Sequence, residues 1–275
     1  MTENAKHQEL LSDSESDVMD AIYRVDGKRV ETSPNAAGPW DSTMQHGSAP
    51  AALVTWAAEA IPTSVAMQIV RVTIDLMRPV PVAPLTFETE VLREGRKIQL
   101  CAIRLLADNI VVVRATVLKI RADSLPLPSD IAGAPIDLPP PDQGRPMQPR
   151  FARTPFVTGL SVSAVRGGFL RLGRGAIWYR IDRPIVEGAP ISQMMRAVVA
   201  ADFCNGTSSV LDFDKWTFLN ADLTVSLARP PAGDWILLDA ETWIGPDGAG
   251  IAAGRLGDSE GYFGRAVQSL VIEQR

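Results

Sequence analysis

The sequence predicts an α+β protein made of two copies of one unit, each a curved antiparallel sheet wrapped on one long helix. Three observations carry this expectation. The first is an internal repeat. A strand-like run ending in Arg78-Pro79 recurs 151 positions later as one ending in Arg229-Pro230. The same offset lays Glu88-Thr89-Glu90 on Asp239-Ala240-Glu241 and Arg114-Ala115 on Arg265-Ala266, with no gap. The second is that each copy holds four apolar, β-branched runs joined by short turns, and short connections imply antiparallel neighbours. The third is a single stretch of small and apolar residues at helical spacing ahead of each set of strands.

In chain order, residues 1–19 read as a polar, flexible leader and 20–121 as the first unit. That unit opens on a hairpin, because Asp26-Gly27 sits between two alternating runs and both residues suit a tight turn. A small-residue helix is expected from Gly47 to about Ile61. Pro50 is tolerable there because it falls in the first turn, where its missing N–H costs nothing. Strands follow at about 66–78, 85–94, 97–107 and 110–121. Residues 122–155 contain nine prolines and no apolar period, which reads as an extended linker. The second unit, 156–275, starts over with a hairpin and a helix from Ile191 to Phe203. Its strands are expected at about 216–229, 235–244, 249–257 and 260–273.

Composition narrows the function. A chain of 275 residues with 46% hydrophobic content can bury sizeable cores. A net charge of −5 and a pI near 5.2 argue against a nucleic-acid partner. Two Cys and two His make a Cys/His metal site a poor expectation. No apolar stretch reaches the roughly 18 to 20 residues of a membrane helix, and the polar start carries no signal core. A cytoplasmic location is expected.

Four stretches carry a family resemblance. They are Gln45-His46-Gly47-Ser48-Ala49-Pro50-Ala51-Ala52-Leu53, Ala200-Ala201-Asp202-Phe203, Asn220-Ala221-Asp222-Leu223-Thr224 and Ala266-Val267-Gln268-Ser269. With the duplicated helix-and-sheet unit, they resemble the acyl-CoA thioesterase II family, whose fold is the double hotdog. The resemblance implies hydrolysis of an acyl-CoA substrate without metal, cofactor or covalent intermediate. It implies an attacking water held by an Asp on the second helix, a Thr or Ser on the next strand and a Gln on the last strand. These fall on Asp202, Asn220 and Gln268 as the catalytic set. Asn220 departs from the family's hydroxyl, although an amide still offers an acceptor and two donor hydrogens. Thr73 stands about where the family often has a His.

The repeat gives a reading independent of the family. At the 151 offset Asn220 falls on Ile69 and Gln268 on Val117, while Asp202 lies toward a helix end where the first helix has aliphatic and small residues. Polar groups confined to one copy suggest a wet pocket in the second half, because an unpaired buried polar group costs about 1–3 kcal/mol. Asp202 is the expected base or water-orienting acceptor. His46, Gly47 and Ser48 are expected to bind substrate, with the Gly47 and Ser48 N–H groups at a helix start facing the developing oxyanion.

Plainer readings compete. Asp202 at a helix C-terminus is electrostatically unfavourable. His46 before a Gly could be a capping or packing residue. Asn220 could be a strand-edge residue. Gln268 shares the parity of Ala266 and Leu270, which favours the inner face. Asp222 is a rival acid. Thr207-Ser208-Ser209 and the basic turn at Arg93, Arg96 and Lys97 read as solvated loops. Two other functions fit the same fold: an acyl-CoA-binding protein that does not cleave, and an enoyl-CoA hydratase. Hotdog hydratases use an Asp and a His near a helix start, and the sequence puts no His beside Asp202. Leftover sheet edges would favour a dimer or tetramer of double units.

Overall fold

The structure, a computed structural model, describes residues 19–126, 128, 135–146, 153–169 and 171–275. All but Met19 of the expected leader lies outside the described residues. The first unit runs β1 (Tyr23–Asp26), β2 (Arg29–Thr32), α1 (Ser48–Glu59), β3 (Met67–Leu76), β4 (Leu85–Arg93), β5 (Ile98–Ala107) and β6 (Ile110–Arg121). Next come β7 (Arg145–Pro146), β8 (Leu160–Arg166), β9 (Gly175–Ile181), α2 (Gln193–Asp202) and a short α3 (Cys204–Thr207). The chain ends with β10 (Trp216–Asn220), β11 (Asp222–Leu227), β12 (Ile236–Ile244), β13 (Ala249–Asp258) and β14 (Gly261–Gln274).

The strands form one 14-stranded sheet in the order β1-β2-β4-β5-β6-β3-β11-β14-β13-β12-β9-β8-β7, with β10 also paired to β14. The two units therefore join edge to edge, antiparallel, through β3 and β11. Thr73 and Thr224, one repeat apart, face each other across this seam with their Oγ1 atoms 3.4 Å apart. The seam is the pseudo-twofold axis of the duplication.

Helices α1 and α2 lie against each other inside the curl of the sheet. In α1 the residues Ser48 to Thr55, and Ala57 and Ala58, are buried. A helix enclosed on nearly every side needs an apolar surface all round, and its alanines allow the close approach. Ser192 caps α2 by accepting a hydrogen bond from the Met195 N–H at 3.0 Å.

One irregularity is itself duplicated. In β3 the register against β6 slips at Val70. In the second copy the chain breaks between β10 and β11 at Ala221, and the pairing with β14 slips from Asn220↔Leu270 to Thr224↔Val267. Val70 and Ala221 are repeat partners. The expected continuous strand over 216–229 is thus split by a bulge that the ancestral unit already carried. A bulge changes which face a side chain points to, and here it turns both Phe218 and Leu223 inward across the break.

Two sets of contacts add to the expected outline. The described part of the Pro-rich segment is not a bare spacer. Trp178 Nε1 donates to Pro139 O at 2.9 Å and Ser163 Oγ to Pro141 O at 2.5 Å. Ile136 and Leu138 pack on Ala176, Trp178 and Leu237, and β7 extends the sheet edge. Nor is the β1 edge open: Tyr23 N donates to Ile185 O at 2.8 Å and Glu187 N to Tyr23 O at 2.8 Å. Among the described residues no helix is long and apolar enough to cross a membrane.

Candidate active site

At the junction of the units lies a cavity of about 600 Å³. Its walls include Trp40, Met44, Leu76, Phe169, Phe213 and Val271, and one end is polar, with His46, Gly47, Asp202 and Asn220. That polar end is built where α1 begins and α2 ends.

Asp202 is the last residue of α2 and is buried, its side chain only 4% exposed. Its carboxylate meets three donors and one ring nitrogen. Ser48 Oγ lies 2.9 Å from Oδ2 and His46 Nδ1 lies 3.3 Å from the same oxygen. Asn220 Nδ2 donates to Oδ1 at 3.0 Å and Gln268 Nε2 to Oδ1 at 3.2 Å. Gln268 is fully buried. Its Nε2 also donates to the Asp202 backbone O at 2.9 Å, and its Oε1 accepts from Asn205 N at 3.1 Å. The four elements that converge here come from both units, so neither unit alone could make the cluster.

The objection that Asp202 sits at an unfavourable helix end has a geometric answer. The carboxylate lies over the N-terminus of α1, whose own first turn carries no acid. A negative charge there is worth about 0.3–1 kcal/mol, and up to about 2 when partly buried. Gly47 makes the approach possible: a Cβ at this position would stand 2.8 Å from Oδ1 and 2.9 Å from Oδ2. The residue is Gly for want of space and not for its backbone, since its φ of −54° suits any residue.

The structure brings all six expected residues together, and it distributes them differently from the sequence expectation. Gln268 stands behind the carboxylate with its amide fully engaged and does not line the cavity. The Ser48 N–H points at His46 Nδ1 at 3.2 Å, leaving Gly47 as the helix-start donor without a described partner. The ring of His46 is sandwiched between Phe156 (centroids 4.9 Å apart) and Phe203 (4.6 Å). Asp222 takes a separate place, accepting the Ser269 N–H at 2.5 Å.

Two further expectations are overturned. A His does lie beside Asp202: His46 is distant in sequence and adjacent in space. Also, the helix-end acid is not confined to the second copy. Glu59 closes α1 as Asp202 closes α2, and it lies near Ser192 at the start of α2. Asn220 and Gln268 do remain exclusive to the second copy, with Ile69 and the fully buried Val117 at their repeat positions. Sequence reasoning missed Asn205, Phe156 and Phe203, which support the site through backbone and ring contacts that no residue pattern signals. Among the described residues no group of three or more His, Cys, Asp or Glu could hold a metal ion.

This arrangement of two helices inside one continuous antiparallel sheet is the double hotdog. Solved structures share it at low identity. A hotdog-fold protein of unknown function from Alicyclobacillus acidocaldarius is 18% identical with a TM-score of 0.73, covering 92% of this chain and 97% of that one. A candidate thioesterase II from Thermobifida fusca is 17% identical (TM-score 0.72, coverage 92% and 96%). A candidate thioesterase from Novosphingobium aromaticivorans is 21% identical (TM-score 0.70, coverage 91% and 98%). A search of curated protein sequences returned no match. The acyl-CoA thioesterase N-terminal domain matches residues 36–120 and its C-terminal domain matches 132–272. The chain belongs to the acyl-CoA thioesterase family.

Proposed function

We propose that the protein is an acyl-CoA thioesterase that releases free acid and CoA by direct attack of water. The observation that carries the proposal is the carboxylate of Asp202 beside Asn220 at the polar end of a largely apolar cavity, with Gln268 bonded to it from behind. The acyl chain occupies the apolar part, among Met44, Leu76 and Phe213. The water sits at the polar end, where Asn220 Oδ1 accepts from no described residue and is not buried. Gln268 fixes the carboxylate from behind. The Gly47 N–H, at the positive end of α1, is the donor for the oxyanion.

Thiol release from acyl-CoAs of increasing chain length tests the reading. Asp202→Ala and Gln268→Ala should each lower kcat/KM by at least about 100-fold, the usual scale for displaced catalytic groups. Two fully active variants would remove the site assignment. Saturable acyl-CoA binding without thiol release by the wild type would instead support a non-catalytic binding protein.

A hydratase reading gains one observation, the His46–Asp202 contact of 3.3 Å. Incubation with an enoyl-CoA separates the two: hydrolysis frees thiol, whereas hydration removes the double bond and leaves the thioester. We also propose further assembly of the double unit through the outer sheet face, where Trp243, Ile251 and Val267 are about half exposed. Light scattering on the eluting protein would detect a dimer or tetramer.

A further inference from the structure

Thioester hydrolysis needs an acceptor for the water's proton, and the obvious acid is poorly placed to be that acceptor. Each oxygen of Asp202 faces two polar neighbours: Ser48 Oγ and His46 Nδ1 at Oδ2, Asn220 Nδ2 and Gln268 Nε2 at Oδ1. Both oxygens are therefore already engaged, and a carboxylate has only about four lone-pair directions to share with an incoming water. Displacing one partner to admit water would leave a buried polar group unpaired. His46 offers a different route. Its Nδ1 faces the carboxylate, while its Nε2 bonds no described residue and is not buried, and the ring lines the cavity.

Nδ1 lies 3.2 Å from Ser48 N and 3.3 Å from Asp202 Oδ2, and it cannot serve both. A lone pair on Nδ1 would accept from the Ser48 N–H, a neutral hydrogen bond, and would repel the carboxylate. A proton on Nδ1 would be donated to a buried charge, the stronger class of hydrogen bond. The Ser48 N–H then joins the unpaired donors that every helix start leaves. The proton on Nδ1 is the better balance, and it leaves the Nε2 lone pair facing the cavity.

Resting on the thioester hydrolysis proposed above, we infer that His46 is the catalytic base of this site and that Asp202 is a positioning residue acting through it. As water attacks, its O–H bond breaks and the proton goes to Nε2. A C–O bond forms at the carbonyl carbon and the carbonyl oxygen becomes the oxyanion. The C–S bond then breaks, and the departing thiolate takes the proton from Nε2 to leave as CoA thiol. Asp202, 3.3 Å from Nδ1, faces the imidazolium that forms. Phe156 and Phe203 hold the ring plane. Asp202 on α2 is the charged group that faces His46; the buried Cys204 thiol lies near Asp202, and Asp41 and Arg78 share the cavity.

The test uses the full chain and the acyl-CoA that the wild type hydrolyses fastest. His46→Gln and His46→Phe should lower kcat about 100-fold, the low end for loss of a general base, with KM within about 3-fold. The fall of kcat/KM on acidification should vanish from the residual rate. Added imidazole should restore part of the rate of His46→Ala. Asp202→Asn should slow the reaction yet keep the acid-side fall. Nitrogen NMR of the wild type gives a measurement that needs no variant, since His7 and His46 are the only two histidines. The expected species at neutral pH has the proton on Nδ1. Folded His46 variants with kcat within 2-fold of wild type, or a proton found on Nε2, would overturn the inference and leave hydrolysis standing. A wild type that frees no thiol from any acyl-CoA would overturn both.

Discussion

Gly47→Ala should leave the fold intact and cripple the site. The backbone at Gly47 is helical (φ −54°, ψ −30°), so Ala fits it without strain. By itself such a change gains about 0.4–1 kcal/mol by restricting the unfolded chain. Against that, the new Cβ would stand 2.8 Å and 2.9 Å from the two carboxylate oxygens of Asp202, where ordinary contact begins at 3.4 Å. Relief requires the carboxylate to retreat by about 0.5 Å, since the helix start behind Gly47 is buried. The hydrogen bonds from Ser48 at 2.9 Å and Asn220 at 3.0 Å would then stretch to the limit of the interaction. Losing one or two of them costs about 1–3 kcal/mol and roughly cancels the backbone gain. A misplacement on this scale costs catalysis up to about 100-fold. The expected outcome is a melting temperature within a few degrees of wild type and kcat lower by about 10- to 100-fold, read by thermal melts and thiol release on one preparation. Wild-type kcat would refute the reasoning, because it would mean that the position of the carboxylate does not matter.

Asn220→Asp should inactivate more severely than Asn220→Ala, because two carboxylates about 3 Å apart cannot both ionise and the pair must take up a proton. Its residual rate should rise on acidification, the reverse of the wild type, as a pH–rate profile would show. Arg78→Ala should raise KM about 3- to 5-fold for an acyl-CoA and leave it unchanged for an acyl thioester of N-acetylcysteamine, which has no phosphates. Arg78 lines the cavity with no described acidic partner, and exposed charges contribute on this modest scale. Elsewhere, Arg229 grips Asp258 at 2.6 Å and 2.7 Å. Burial alone would raise the Asp258 carboxyl, but Arg229 and the N–H groups of Ala232 and Glu260 more than offset it and hold it below its usual range. A depressed folded-state value gives stability that is full above the unfolded carboxyl value near about 4 and is lost as pH falls toward the folded value. Asp258→Asn should lower stability at neutral pH by about 3 kcal/mol, the low end for breaking a buried pair. It should also flatten the acid side of the wild-type curve of melting temperature against pH.

The fold was legible because its signals are local or periodic. Strand ends such as Ile110 and Arg121, and the inward parity of Gln268, follow from alternation along one strand. The site was legible only where a residue type alone carried the signal. A Gln at a fully buried strand position and an Asp ending an apolar helix both stand out against their neighbours. The role of His46 was harder to read: the His-Gly-Ser start of α1 marked the position, but its partner Asp202 lies across a helix–helix contact. The bulge at Ala221 was hidden for a related reason: β10 and β11 each alternate properly, and only the change of phase between them reveals the break. The strap over 135–146 escaped because its contacts are backbone carbonyls of Pro139 and Pro141, which composition does not report.

The duplication says which features of the site are old. Ser48 bonds Asp202, and Glu59 lies near Ser192, so each helix ends in an acid close to the start of the other. That reciprocal contact fixes two antiparallel helices and satisfies charge at both ends. It requires no catalysis, and the carboxylate of Asp202 has a structural reason to exist in either copy. What distinguishes the second copy is the amide support: Asn220 and Gln268 where the first has Ile69 and Val117. The Arg-Pro strand ends diverged in the opposite direction. Arg229 is locked by Asp258, whereas its repeat partner Arg78 has Ala107 in place of that acid and lines the cavity. One copy thus gained the amides that hold the carboxylate still, and the other released a cation toward the same space. A single cavity walled by different residues from two equivalent halves needs both units.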